Sequence, residues 1–291
     1  VEGVQLSKLA REHGTPLFVY SKAAMLASLA AYQRGFAGRK AQICYAMKAN
    51  SNLAVLQVFA QAGCGFDIVS GGELARVLAA GGEPSKIIFS GVGKTRAEMR
   101  KALDAGIACF NVESEAELEV LSDVAQSMGK RAPISIRVNP NVDAKTHPYI
   151  STGLKGNKFG VAHERALATY QRAASLPGLQ VTGIDCHIGS QITESTPYLD
   201  AMDRVLDLVQ AIEAAGIAGA ARRARYSPPA EYVSPYEDVN QHGDAGFDDA
   251  TGGADFGGHM LRDADAGRDE VIVSAGGGVV GRALLETAVH A

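Results

Sequence analysis

The sequence predicts an α/β fold, either a (β/α)8 barrel or a doubly wound sheet. Three observations lead to this prediction. Short runs rich in Ile, Val, Phe and Cys recur along residues 41–188, segments with helical spacing of apolar residues separate them, and the connections are short. Several of the runs are continuously apolar, which favours parallel strands covered by helices on both faces.

The elements follow in a regular order. Strands are predicted at 41–47, 66–70, 87–90, 109–113, 133–138, 181–188 and 271–273. Helices are predicted from Asn52 and from Gly72, where Ser70 is the expected N-cap, from Ser114, and over 163–175 and 197–215. Ser114 and Glu117 have the spacing of a capping box.

The pattern changes after about residue 217. Residues 1–217 are well patterned, whereas residues 218–268 are rich in Gly, Asp, Arg, Pro and Ala and contain no apolar run of strand length. That composition predicts an irregular or disordered segment. Residues 269–291 are predicted to hold the last strand and helix, so the whole chain, 1–291, forms one domain.

Composition narrows the functional classes. Of 291 residues, 46% are hydrophobic and 21% are charged, and the formal net charge is -4, which argues against nucleic acid as a partner. No apolar run has the length of a membrane span, and no signal segment opens the chain. The four cysteines are scattered without CxxC spacing, so buried reduced thiols in a cytoplasmic protein are expected.

Several chemically active residues follow predicted strands. In a barrel they would meet at the carboxyl ends of the strands, where the chemistry of such folds lies. Lys48 follows the first strand, Asp67 lies in the second, Arg137 is near the end of the fifth, and His187 and Ser190 close the sixth. These groups could hold a flat anionic cofactor, with the amine as covalent anchor, the imidazole as stacking face and the Gly/Ser turn as phosphate donor.

Each residue also has a plainer interpretation. Lys48 could be a solvated surface lysine, as most lysines are. Asp67 could cap a strand end, Arg137 could be an ordinary ion-pair partner, and His187 could be a buried histidine with its hydrogen bonds satisfied. Convergence on one end of a barrel favours the functional interpretation.

Two other patterns are rejected. Gly276-Gly277-Gly278-Val279-Val280-Gly281 fits GxGxxG, but only ten residues of this sequence follow it. They are too few for a second strand and for the acidic residue that a dinucleotide site has about twenty positions on. The acidic and histidine residues in 238–266 have no regular ligand spacing, and no metal site is predicted there.

Several motifs together resemble the fold-type III pyridoxal-phosphate decarboxylases. Tyr45-Ala46-Met47-Lys48-Ala49-Asn50 resembles the YAxKAN motif of that family, and the segments 65–74, 87–95, 110–114 and 186–192 match its later strands. The block from Arg137 to Gly160, with Lys145-Thr146-His147-Pro148-Tyr149, is similar to the branch that decarboxylates diaminopimelate. The resemblance runs from about residue 15 to 217.

The resemblance implies a (β/α)8 barrel of the alanine-racemase type that binds pyridoxal 5'-phosphate (PLP). It implies that Lys48 holds the cofactor covalently, that Asp67 supports His187 against the pyridine ring, and that Arg137 lies near the cofactor. Lys48 and His187 would be catalytic. Ser190, Gly276 and Gly277 would complete the cofactor site, and the family is homodimeric. The implied reaction is the decarboxylation of meso-2,6-diaminopimelate to L-lysine, a step of lysine biosynthesis.

The chain departs from the family pattern after residue 217. The glycine-rich phosphate segment expected after the seventh strand is not found, and Ser274-Ala275-Gly276-Gly277 stands where the family has Glu-Pro-Gly-Arg. The family's C-terminal β-domain is also expected to be missing. The expectation is a truncated and disrupted chain, and two alternatives stay open: an inactive or weakly PLP-binding remnant, or a fold-type III decarboxylase of another amino acid.

Overall fold

A computed structural model describes residues 1–142, 159–189 and 196–219, together with the backbone of two further strands at 223–226 and 270–275. The helices of this part of the chain are α1 Leu6–His13, α2 Lys22–Gly35, α3 Leu53–Gln61, α4 Gly71–Ala79, α5 Arg96–Ala105, α6 Glu115–Ser127, α7 His163–Ser175 and α8 Thr196–Ala214. The strands are β1 Ala41–Ala46, β2 Gly65–Ile68, β3 Ile87–Phe89, β4 Cys109–Val112, β5 Ala132–Asn139, β6 Val161–Ala162, β7 Leu179–Cys186, β8 Arg223–Tyr226 and β9 Glu270–Ala275.

The strands form a closed parallel barrel. The order runs β1-β2-β3-β4-β5-β7-β8-β9, and β9 pairs with β1 to close the ring. The two-residue strand β6 lies beside the end of β5, outside this ring. Helices precede or follow the strands in the βα order of a (β/α)8 barrel. The predicted barrel is confirmed, and the alternative of an open doubly wound sheet is wrong.

The predicted strands agree with the structure, but two observed strands, the two-residue β6 and the longer β8, were not predicted. The six strands predicted between residues 41 and 188 lie within two residues of β1, β2, β3, β4, β5 and β7, and β9 covers the strand predicted at 271–273. Strand β8 lies inside the segment 218–268, for which no strand was predicted. Its sequence, Arg-Ala-Arg-Tyr, is not an apolar run, and its pairing with β7 and β9 identifies it as a strand. Residues 227–269 and 276–291 lie outside the described residues.

Side chains on the barrel strands alternate between two environments. Ile134, Ile136 and Val138 of β5 are buried in the main core, which also holds the apolar faces of the helices. The residues between them, Ser135 and Arg137, belong to the opposite face of the strand, because side chains alternate along a strand. This alternation separates the apolar layer under the helices from a barrel interior that also holds polar side chains such as Ser135 and Arg137.

Helices α4, α5 and α6 begin at the carboxyl ends of the strands with similar caps. The side chains of Ser70, Thr95 and Ser114 each accept a hydrogen bond from the backbone N–H three residues later, which satisfies an otherwise unpaired donor. The predicted N-caps at Ser70 and Ser114 are confirmed. The predicted capping box at Ser114 forms only in part, because the Glu117 carboxylate accepts from the backbone N–H of Glu113 instead of the N-cap. A complete box occurs at Thr95 and Glu98.

All four cysteines are buried thiols, as the sequence predicted. Burial raises the pKa of the Cys64 thiol to about 12, so Cys64 is protonated at neutral pH. Within the described ranges, no helix combines the length and the apolar character needed to cross a membrane.

The carboxylate of Glu98 connects the first turn of α4 with the first turn of α5. It accepts hydrogen bonds from the backbone N–H of Gly71 at 2.8 Å and from the backbone N–H of Thr95 at 2.9 Å. The bond from Gly71, with those from Thr95, lowers the pKa of Glu98 below its ordinary value of 4.5. A carboxylate with a lowered folded-state pKa stabilises the fold above its unfolded pKa, and this contribution is lost as pH falls through the folded value.

We therefore expect Glu98→Gln to lower the free energy of unfolding at pH 7 by about 1 kcal/mol, the usual cost of a lost cap partner. The difference between the variant and the parent should be smaller at pH 3 than at pH 7, because it is lost as pH falls through the lowered pKa of the parent carboxylate. Thermal unfolding of both chains at the two pH values measures it. An equal difference at pH 7 and pH 3 would contradict the assignment.

Candidate functional site

The mouth of the barrel is formed by the carboxyl ends of the parallel strands. The strand ends and loops there carry most of the chemically active residues singled out from the sequence. Lys48 follows β1, Asp67 lies in β2, Arg137 lies in β5 and His187 follows β7. The structure places these four residues at the same end of the barrel, because all the strand pairings are parallel.

Lys48 lies on a short 3₁₀ turn, Met47–Ala49, that is fixed on both sides. Met47 is fully buried, and the Tyr45 hydroxyl donates a hydrogen bond to the Asn50 carbonyl oxygen at 3.3 Å. The Tyr45 ring stacks on Phe59 with a centroid distance of 4.3 Å. Lys48 itself is exposed. The motif therefore holds the backbone of Lys48 in place while its amine stays accessible.

Two acidic residues, Asp67 and Glu73, lie at the same end of the barrel as this lysine. Asp67 is aligned with Ala46 in the β1–β2 register, two residues before Lys48. Glu73 in the first turn of α4 accepts a hydrogen bond from the backbone N–H of Val69 at 2.7 Å. Partial burial raises the pKa of Glu73, the Asp67 charge adds to this shift, and the positive charge of Lys48 opposes it. Glu73 thus interacts electrostatically with both Asp67 and Lys48 at the mouth.

Asp67 belongs to a row of polar side chains that crosses four strands. The Ser90 hydroxyl donates to Asp67 Oδ1 at 2.7 Å, and Asn111 Nδ2 donates to Ser90 Oγ at 3.0 Å. Ser135 on β5 then donates to Asn111 Oδ1. Asn111 and Ser135 are buried. The row orients Asp67 through its Oδ1 atom.

Arg137 is held by a buried carboxylate. Its Nη1 atom donates to Glu113 Oε2 at 2.9 Å, while Glu113 Oε1 accepts from the backbone N–H of Gly91, also at 2.9 Å. The guanidinium lies 5.5 Å from the centroid of the Phe159 ring, within the range of a cation–π contact. The Arg137 side chain retains 14% of its exposure, so it can still meet a ligand. The interpretation of Arg137 as an ion-pair partner is thus correct, and the ion pair orients it at the mouth.

Of the remaining predicted residues, the structure describes His187 only. His187 is half-buried directly after β7, beside the buried Ile188. Asp185, two residues earlier, is aligned with Arg137 in the β5–β7 register. Ser190, Gly276 and Gly277 lie outside the described residues, as do the GxGxxG segment, the acidic segment 238–266 and residues 145–158 of the block from Arg137 to Gly160. The part of the chain that is described contains no group of three or more His, Cys, Asp and Glu residues suited to a metal ion.

Sequence reasoning missed several residues of the mouth, including Glu73, Ser90, Glu113 and Lys94. A signal existed for Glu113, because it continues the period of two that runs through Asn111 along β4. Glu73 and Lys94 gave no signal, since they lie in a helix and a loop whose positions depend on the closed barrel.

The residues present fit a PLP-type cofactor on one side of the mouth. An accessible amine on a fixed turn suits an aldehyde, and the oriented Arg137 suits an anionic group. On the other side, β9 ends with Ser274 and Ala275 aligned beside Cys44 and Tyr45, so no carboxylate stands at that position in the sequence.

Comparison with known proteins agrees with this arrangement. Residues 22–221 match the family model described as "Pyridoxal-dependent decarboxylase, pyridoxal binding domain". The chain is 59% identical over 216 residues to a diaminopimelate decarboxylase of Pseudomonas aeruginosa, covering 74% of this chain and 52% of that protein. The chain thus spans about half the length of the curated relatives it matches.

Solved structures show the same likeness. A diaminopimelate decarboxylase from Helicobacter pylori in complex with L-lysine has a TM-score of 0.79 at 37% identity, covering 93% of this chain and 65% of that one. Another from M. jannaschii, also with L-lysine, has a TM-score of 0.80 at 31% identity, covering 98% of this chain and 64% of that one. The family model matches more than half of the residues of this chain. The chain therefore belongs to the pyridoxal-dependent decarboxylase family and carries the pyridoxal-binding domain of that family.

Proposed function

We propose that the chain binds PLP through Lys48 and that it serves the decarboxylation of meso-2,6-diaminopimelate to L-lysine. The observation that carries this proposal is the accessible lysine on its fixed turn at the end of β1, within the region that matches the family's pyridoxal-binding domain. The names of the relatives and the block from Lys145 to Gly160 support diaminopimelate as the substrate.

In this proposal each residue has a separate task. The Lys48 amine forms the covalent bond with the cofactor, and His187 lies against its ring with support from Asp67. Arg137, held by Glu113, presents a fixed positive charge to an anionic group. Ser190, Gly276 and Gly277 bind on the phosphate side. When bound, PLP accepts the electron pair left on the substrate carbon as carbon dioxide departs.

The part of the proposed cofactor site that follows β8 and β9 has fewer of the family's binding groups than the part that follows β1 to β7. In the fold-type III family a glutamate at position 274 and an arginine at position 277 would face the pyridine nitrogen and the phosphate or substrate, and this chain has Ser274 and Gly277. We expect PLP to bind weakly and decarboxylation to be slow. The homodimer and the cytoplasmic location stay predictions.

Binding through Lys48 has a direct optical test. Adding PLP to the purified chain should produce the visible absorbance of lysine-bound cofactor, and Lys48→Ala should abolish it. Lys40→Ala is the matched control, because Lys40 is an exposed lysine just before the other end of β1. Equal absorbance in the parent and in Lys48→Ala would refute the assignment of Lys48.

The expectation of slow decarboxylation can be tested by restoring the two residues that the family has at positions 274 and 277. We expect release of carbon dioxide from meso-2,6-diaminopimelate to be at least about 100-fold slower than in the P. aeruginosa relative, since a lost electrostatic partner of the reacting group commonly costs that much. The double variant Ser274→Glu, Gly277→Arg should raise the rate. The expectation fails if the unmodified chain matches the relative, or if the double variant changes nothing.

A further inference from the structure

Among the described residues, Lys94 is the most deeply buried cation of the barrel mouth, and the proposed function does not use it. Its side chain has 0% exposure. An ammonium group at such a position is costly unless its donors are all satisfied. The structure shows how that requirement is met.

The Lys94 ammonium joins three separate elements. Nζ donates to the carbonyl oxygen of Gly91 after β3, to the carbonyl oxygen of Asn111 on β4, and to Glu117 Oε1 on α6, each at 2.7 Å. Three bonds are the full donor capacity of a lysine. Nζ also lies 5.8 Å from the centroid of the Phe89 ring. Lys94 therefore has no capacity left for a ligand and acts as a brace between loops.

Two chains of hydrogen bonds connect Lys94 to Arg137. In the first, Glu117 uses its second oxygen, Oε2, to accept from the backbone N–H of Glu113 at 3.0 Å. In the second, Gly91 gives its carbonyl to Lys94 and its N–H to Glu113 Oε1. Both chains of hydrogen bonds end at Glu113, whose other carboxylate oxygen binds Arg137.

The charges of this network also balance in pairs. Lys94 pairs with Glu117, and Arg137 pairs with Glu113, whose side chain is only 2% exposed. The Glu117 side chain is only 10% exposed. Removing the charge of Lys94 would leave this carboxylate without its cation, and the carbonyl groups of Gly91 and Asn111 would lose the hydrogen bonds they accept from Nζ. Buried groups that lose their partner draw in water or move. Glu113 would then lose the contacts that fix both its backbone and its Oε1 atom.

We infer that Lys94 is a positioning residue: through Glu117, Gly91 and Glu113 it fixes the orientation of the Arg137 guanidinium at the barrel mouth. The consequence for PLP binding rests on the proposed function, whereas the consequence for Arg137 itself does not.

The first experiment needs no cofactor. The rate at which phenylglyoxal modifies Arg137 is read by peptide mass spectrometry in the parent, in Lys94→Met and in Lys130→Met. Lys130 is the matched control, because it also donates to a carbonyl, that of Leu103, and to a carboxylate, that of Asp104, both at 2.9 Å. Lys94→Met should raise the rate at Arg137 about fivefold or more, as expected for loss of a coupled network, and Lys130→Met should leave it unchanged.

An unchanged rate in folded Lys94→Met overturns the inference. If that variant does not fold, Glu117→Gln replaces it, since it removes the charge of the connecting carboxylate and keeps its shape. The same increase at Arg137 is then expected, and its absence counts equally against the inference.

The second experiment is a double-mutant cycle on PLP affinity. Lys94→Met should weaken PLP binding about fivefold in the parent and should have no effect in an Arg137→Gln background, because its influence passes through Arg137. Equal weakening in both backgrounds would show a merely structural role and overturn the inference. If the parent binds no PLP, the proposed function fails, and the phenylglyoxal rates still decide the role of Lys94.

Discussion

The pairing of β1 with β9 closes the barrel, and the rest of the site depends on this closure. With β1 bound to β2 on one side and to β9 on the other, all eight strands of the ring run in the same direction. Parallel strands in a closed ring bring their carboxyl ends to one mouth. Residues separated by more than a hundred positions, such as Lys48 and His187, reach the same end for this reason.

The alternation of side chains along each strand divides the protein into two layers with different tasks. The outward residues pack under the helices and form the large apolar core, which supplies most of the stability. The inward residues are polar near the mouth, and they satisfy one another in the row from Asp67 to Ser135. A buried polar row of this kind rigidifies the mouth because each member is oriented by its neighbour.

The residue pattern was sufficient for an α/β fold and for the residues near the ends of its strands, since continuous apolar runs can be read from the residues alone. The choice of a barrel over a doubly wound sheet came from the resemblance to the decarboxylase family. Lys48, Asp67, Arg137 and His187 were found from their positions near the strand ends. The partners of Arg137 were not, because the pairing with Glu113 and the brace at Lys94 depend on how neighbouring loops meet. Strand β8 was missed because Arg223–Tyr226 has no apolar run, and its neighbours β7 and β9 define it.

The central claim is that the turn after β1 presents Lys48 as the covalent anchor of PLP. Reduction of the PLP-treated chain with borohydride, followed by peptide mass spectrometry, tests it most directly. We predict a phosphopyridoxyl group on Lys48 in large excess over every other lysine. A label spread evenly over exposed lysines such as Lys40 and Lys22, with no preference for Lys48, would contradict the account.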